Sequence, residues 1–214
     1  MPRDLKILGF EFPCFNMSSL SRLEQAIQFI DQANRKDPNR EVSNGREYPK
    51  ELLYSERMSA WLLKLRPDAS DLLQIAARAQ HIRRWVVPRT QYPKTRVGYL
   101  EWRTGLYSFH AENAGEIMAR CGYDPESIDK VKRILRKRGL KKDPNAQLIE
   151  DIACLVFLES YFSDFLKDYG DEDKIIDIVQ KTWKKMSPEA HEAALGINFP
   201  EHVAAIVQKA LAKT

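Results

Sequence analysis

The sequence predicts an all-α fold: a single helical domain of about eight to nine helices spanning the whole 214-residue chain. Three observations predict it. Apolar residues recur at three- and four-residue spacing almost throughout, the period of a helix with one buried face. No stretch reads as a convincing strand. The breaks in the pattern carry helix punctuation, with Ser, Asp or Pro at the starts and Gly at several ends.

Residues 1–18 read as a strap across the body, anchored by Phe10, Phe12 and Phe15. Leu20, Leu23, Ile27 and Ile30 mark a first helix that starts near Ser18, Ser19 and Ser21 and ends before Asp37-Pro38. Residues 39–48, with Asn44-Gly45, read as a loop. Pro49 suits the first turn of a second helix, which runs to about residue 65. Pro67-Asp68-Ala69-Ser70 breaks the chain and caps a third helix, over about 71–85. Residues 86–97 contain Pro88 and Pro93 and form a loop of the length that often carries function.

A long fourth helix follows over about 98–120, stopped at Gly122. Asp124-Pro125-Glu126 opens a fifth, closing at Gly139, and Asp143-Pro144 opens an aromatic-rich sixth that runs to about 169. Helices over 172–185, 187–195 and 200–212 complete the chain, so a core of 19–169 carries a C-terminal set of helices over 170–214. There is no internal repeat.

Composition is that of a soluble protein: 43% hydrophobic, 30% charged, mean hydropathy −0.48. No apolar run approaches the ~20 residues that cross a bilayer. The opening Met1-Pro2-Arg3-Asp4-Leu5-Lys6 lacks the apolar run of a secretory signal, so a cytoplasmic protein is expected. Cys14, Cys121 and Cys154 are widely spaced and form no CxxC, which argues against a disulfide scaffold or a zinc ribbon. Cys121 and Cys154 suit small core positions.

The net charge of +4 is unevenly spread. Arg83, Arg84, Arg89, Lys94, Arg96 and Arg103 cluster with Glu101 as the sole acid among them, and a second basic run spans 130–142. Such runs are either solvated faces or anion-binding surfaces.

Four ionisable residues fall in the middle of expected buried faces: Glu56, His81, His110 and Asp151. Asp151 shares its face with Leu148, Cys154, Leu155 and Leu158; His110 shares its face with Leu106, Ala114, Ile117 and Arg103. Glu56 is flanked by Leu52, Leu53, Ala60 and Leu63, whereas the face of His81 is only half apolar. Each can be satisfied singly by a carbonyl or an arginine. Together they can converge on a divalent metal such as Mn, Fe, Zn, Co or Mg, the way helical bundles build metal centres. His191 and His202 read as surface histidines.

The stretches Ala76-Ala77-Arg78-Ala79-Gln80-His81-Ile82, Phe109-His110-Ala111-Glu112-Asn113-Ala114 and Glu150-Asp151-Ile152-Ala153-Cys154-Leu155 resemble, in order, three ligand helices of the HD-domain metal-dependent phosphohydrolases. The chain departs from that pattern at Glu56, where a histidine is expected, and at Gln80-His81, where His-Asp is expected. More closely, it resembles a conserved uncharacterised family, a domain of unknown function sometimes mislabelled as a glutamyl-tRNA synthetase. Pro49-Lys50-Glu51-Leu52-Leu53-Tyr54-Ser55-Glu56-Arg57-Met58, Gln80-His81-Ile82-Arg83-Arg84-Trp85 and Gly98-Tyr99-Leu100-Glu101-Trp102-Arg103 carry that likeness, together with residues 151–159.

The HD resemblance implies an HD-like bundle and a phosphohydrolase with a divalent-metal centre at Glu56, His81, His110 and Asp151. The expected substrate is a small phosphate ester, with a nucleotide as one candidate. Arg103 lies two turns before His110, about 10.5 Å along the helix; with Arg84 it is the expected catalytic cation. Arg83, Arg89, Tyr92, Lys94, Arg96 and Tyr99 are the expected substrate-binding residues, by charge and by stacking. The alternatives are a non-catalytic nucleic-acid or anion-binding module and an HD-type iron oxygenase.

Overall fold

The structure, a computed structural model, describes residues 19–168 and 171–212. Phe10, Phe12, Phe15 and Cys14 of the expected strap lie outside the described residues. The fold is all-α with one small hairpin.

The chain divides into two compact units. One comprises residues up to Glu56 together with Ser70–Arg136; the other comprises Arg57–Ala69 and the chain from Lys137 onward. The division falls within a helix and after Arg136.

The first unit begins with α1 (Arg22–Asn34). Ser21 and Glu24 close a capping box over its first turn, each side chain satisfying the other's backbone N–H. Next comes β1 (Arg40–Ser43) paired antiparallel with β2 (Arg46–Pro49), where the sequence reads as a loop. Asn44 and Gly45 both take positive φ, 50° and 73°, as the tight two-residue hairpin turn requires. α2 (Lys50–Leu65) starts where Pro49 leads into it.

α3 (Asp71–Arg78) is capped by Ser70 and ends about seven residues short of the expected terminus. Single 3₁₀ turns at Arg84–Val86 and Arg89–Gln91 lead to α4 (Arg96–Arg120), and Asp124 caps α5 (Pro125–Leu135). α1, α3, α4 and α5 pack on one another. Their apolar faces, including Ile30, Ile75, Ile117, Met118 and Leu135, form the core.

The second unit holds α6 (Pro144–Val156), a π-helical turn (Phe157–Tyr161), α7 (Phe162–Asp168), α8 (Glu172–Trp183), α9 (Pro188–Leu195) and α10 (Glu201–Ala212). α6 packs on α9, and α8 on α10, around Ile152, Leu155, Phe162, Val179 and Val203. His191, expected at the surface, is half-buried: its ring stacks on Trp183 at 4.0 Å, and its Nε2 lies 2.9 Å from the Trp183 carbonyl. His202 is exposed as expected.

Cys121 and Cys154 are buried free thiols whose pKa values burial pushes up to about 11 and about 12, so both stay neutral. The basic run over 130–142 is largely paired. Lys130 meets Glu126, Lys132 and Arg136 share Glu112, Arg133 meets Asp129, and Lys137 meets Glu150. No described helix is long and apolar enough to cross a membrane.

Candidate functional site

Buried polar side chains concentrate in the first unit. Asn34, Asp37, Glu51, Ser55, Gln80, His110 and Asn113 are all at most 6% exposed. Burial of so many polar groups costs free energy unless each is met by a partner. Following those partners outward locates the site.

Glu51 is held first by its backbone. The Asp37 carboxylate accepts its N–H at 2.9 Å, and the Asn34 amide donates to its carbonyl at 3.4 Å. Along α2, Glu51, Tyr54, Ser55, Met58 and Leu62 follow the i, i+3, i+4, i+7 spacing of one buried helix face, with Leu52, Leu53 and Trp61 buried beside it. Glu51 therefore heads a core stripe, although it is ionisable.

The next support is the turn after α3. Arg83 adopts φ 54°, ψ 29°, a left-handed conformation that costs a non-glycine residue about 1 kcal/mol. Two buried asparagines hold it there. Arg83 N donates to Asn34 Oδ1 at 3.0 Å, and Arg83 Nη1 donates to Asn113 Oδ1 at 3.1 Å. The turn places His81 and Arg84 on either side of this clamp. Burial also lowers the Arg83 pKa.

His81 Nδ1 lies 3.3 Å from Glu51 Oε2, and its ring stacks on Tyr54 at 3.9 Å and 12°. Arg84 Nη1 lies 4.0 Å from Glu51 Oε1, with its guanidinium over the Trp102 ring. Burial raises the Glu51 pKa, against the opposing pull of Arg84, His110 and Lys50.

His110 arrives from α4 and is 3% exposed. Its Nδ1 lies 2.9 Å from the Ile82 carbonyl, so Nδ1–H donates and Nε2 carries the bare lone pair. Among the described residues that Nε2 has no hydrogen-bond partner. The His81 and His110 rings are 5.8 Å apart. Burial above all, then the charge of His81, pushes the His110 pKa down to about 3, so the ring is neutral.

The expected ligands fare differently. His81 and His110 are neighbours, but His81 sits in a turn and not on a helix. Glu56 is exposed, its side chain 45% accessible and 3.7 Å from Arg78. It stands five residues beyond Glu51, about 140° around the helix; Glu51 is the inward carboxylate. Asp151, in the second unit, is buried but committed. Its carboxylate accepts from Gln147 Nε2 at 2.8 Å and from Ser187 N and Oγ at 2.9 and 2.6 Å. It anchors the start of α9. Among the described residues no three His, Cys, Asp or Glu side chains are gathered as a metal ion requires.

The expected substrate cations also divide. Arg89 donates to the carbonyls of Tyr92 and Pro93 at 2.8 and 2.7 Å, which folds the loop back on itself. Gly98 accommodates that loop, since a Cβ there would sit 2.4 Å from the Pro93 carbonyl oxygen. Tyr92 packs with Trp102 on the cluster of Val87, Leu106 and Phe109, a core role in place of the expected stacking. Arg103 donates to Tyr107 at 2.5 Å and to Tyr99 at 3.5 Å. Lys94, Arg96 and Tyr99 are exposed.

Glu51, Tyr54, Asn34 and Asn113 were not among the expected site residues. The buried stripe at 51, 54, 55, 58 and 62 is the signal that identifies Glu51. The asparagines leave no local signal, because their partners lie 49 and 30 residues away.

The profile of a family described as a domain of unknown function, DUF4202, matches residues 24–207, and the chain belongs to that family. No curated protein and no solved structure matches it. The likeness to HD-domain phosphohydrolases finds no support in these matches.

Proposed function

We propose that this member of the DUF4202 family hydrolyses a small phosphate ester, with Glu51 and His81 as its acid–base couple and Arg84 as its phosphate-binding cation. The observation that carries this reading is the buried Glu51 carboxylate, 3.3 Å from His81 and 4.0 Å from Arg84. Phosphoryl transfer to water needs a proton acceptor for the attacking water and positive charge beside the phosphoryl oxygens.

Glu51, 3.3 Å from His81 Nδ1, opposes the positive charge that the imidazole gains when Nε2 takes a proton, the part a buried carboxylate plays in hydrolytic triads. Water attacks phosphorus and passes a proton to His81 Nε2. The P–O bond to the leaving alcohol breaks, and protonated His81 returns its Nε2 proton to that oxygen, which regenerates the base. Arg84 opposes the charge on the phosphoryl oxygens throughout. Lys94, Arg96, Tyr99 and Arg103 are the further groups suited to meet substrate.

The HD likeness implies a divalent metal. The described residues do not gather three ligands, so this donor set does not fit one, and no step is routed through it.

A panel of phosphate monoesters tests the proposal, assayed with chelator and with Mn, Co, Zn or Mg. The expected result is phosphate release that disappears in His81→Ala and Arg84→Ala. The exposure of Lys94, Arg96 and Tyr99 favours a second reading, an anion- or nucleic-acid-binding module without catalysis. Tight RNA binding without turnover, surviving both substitutions, would establish that reading in place of the first.

A further inference from the structure

We infer that His110 selects the substrate: its Nε2 accepts a hydrogen bond from a hydroxyl carried near the phosphate, so the substrate class is phosphorylated polyols and sugars, not plain alkyl or aryl phosphates. This rests on the phosphohydrolase reading of the same site.

The tautomer comes first. Nδ1–H is engaged by the Ile82 carbonyl at 2.9 Å, which leaves Nε2 as an acceptor only. The residue is 3% exposed, and that acceptor has no partner among the described residues. An unmet buried acceptor is costly, and a ligand that meets it recovers the loss. The His110 ring belongs to the candidate site, since it is 5.8 Å from the His81 ring and His81 Nδ1 lies 3.3 Å from Glu51 Oε2.

The near groups do not supply the missing donor. His81 Nδ1 lies 3.3 Å from Glu51 Oε2, and the Arg84 guanidinium lies over the Trp102 ring with Nη1 4.0 Å from Glu51 Oε1. Nor is His110 suited to be the base. A ring with a pKa of about 3 holds a proton too weakly to take one from water at neutral pH, yet its lone pair still accepts a hydrogen bond.

The donor must then come from the ligand, and its charge is constrained. Burial, then His81 and more weakly Arg84, depress the His110 pKa against the opposing pull of the Ile82 carbonyl and Glu51, so a further cation in this buried place is opposed. A hydroxyl is the neutral donor that remains compatible with a phosphate held at Arg84. A site built around such a bond discriminates sharply, because the analogue lacking the donor leaves the acceptor buried and unpaired.

The experiment compares glycerol 3-phosphate and glucose 6-phosphate with n-propyl phosphate and phenyl phosphate, measuring kcat/KM for phosphate release. The expected result is a preference of about tenfold or more for a hydroxylated ester, collapsing toward one in His110→Phe. On wild-type protein labelled with ¹⁵N-histidine, the hydroxylated esters should move the His110 Nε2 resonance and the plain esters should not. That second measurement does not depend on the variant folding.

If both classes are cleaved alike, or if the preference survives His110→Phe, the selection by His110 is overturned and the hydrolase reading stands. If no ester is cleaved and inorganic phosphate leaves the His81 resonances unmoved, the hydrolase reading fails and the inference fails with it.

Discussion

Glu51 and Asp151 are both helix-borne carboxylates, 6% and 3% exposed, and their surroundings treat them in opposite ways. Asp151 accepts three hydrogen bonds, from Gln147 and from both the N–H and the hydroxyl of Ser187. The two from Ser187 tie α6 to the start of α9, and the third comes from Gln147 on α6 itself. Glu51 has its backbone secured by Asn34 and Asp37, while its carboxylate is left to a histidine and a more distant arginine. Burial raises the Glu51 pKa. Burial of a charge is therefore a poor marker of function. The marker is capacity left over after the fold has taken what it needs.

The comparison breaks most visibly at Glu51→Gln. If Glu51 orients His81, turnover should fall by about a thousandfold, near 4 kcal/mol in transition-state stabilisation. Stability should move the other way. A carboxyl whose folded pKa lies above 4.5 penalises the folded state once pH rises through that pKa, and carries no penalty below 4.5. The amide should therefore be more stable at pH 7, with the gain gone by pH 4. Urea titrations at both pH values check this, and a loss of stability at pH 7 would place Glu51 among the structural carboxylates.

Asp151→Ala should do the reverse. Removing an acceptor of three bonds leaves Ser187 and Gln147 donors unmet in a buried place, at a cost of about 3 kcal/mol. Calorimetry should show Tm lower by roughly 6–12 °C for a chain of this size, with phosphate release per folded molecule retained. Unchanged Tm with lost turnover would return Asp151 to the catalytic machinery.

This contrast explains what was legible in the sequence. Helix starts were, because a cap is local chemistry: Ser21, Ser70, Asp124 and Ser187 each accept the N–H three residues on. The end of α3 was not. Ala79-Gln80-His81-Ile82 continues a good helical pattern, and the chain turns where Asn34 and Asn113 hold a left-handed Arg83. The hairpin at 40–49 was missed because its strands, Arg-Glu-Val-Ser and Arg-Glu-Tyr-Pro, lack apolar alternation. Asn44-Gly45 was the cue that remained. At the candidate site, His81 and His110 lie together, while Glu56 faces outward and Glu51 is the buried carboxylate beside them.

His110 sharpens the comparison from the opposite sign of charge. Its folded pKa is depressed from 6.5 to about 3, so its neutral form contributes stability above 6.5 that is lost as pH falls toward 3. Between pH 7 and pH 5 that loss should amount to about 2 kcal/mol. Glu51 works against it, gaining as it protonates, while His81 and Arg84 add positive charge nearby. The difference between wild type and His110→Phe isolates the histidine. Urea midpoints at pH 7 and pH 5 should converge for the variant relative to wild type. Parallel pH dependence would mean that His110 is not held neutral.

The smallest effect belongs to Glu56, on the same helix as Glu51. It is exposed, and its partner Arg78 is already held by Asp31 at 2.6 and 2.8 Å. An exposed ion pair of this kind contributes little, because water solvates the freed charge and screens the pair. Glu56→Ala should therefore change stability by less than about 0.5 kcal/mol and leave turnover within about twofold. Two carboxylates five residues apart would then differ about a thousandfold in turnover. A severe loss of activity in Glu56→Ala, with the fold intact, would show instead that the outward carboxylate serves the site and that burial at Glu51 serves only the core.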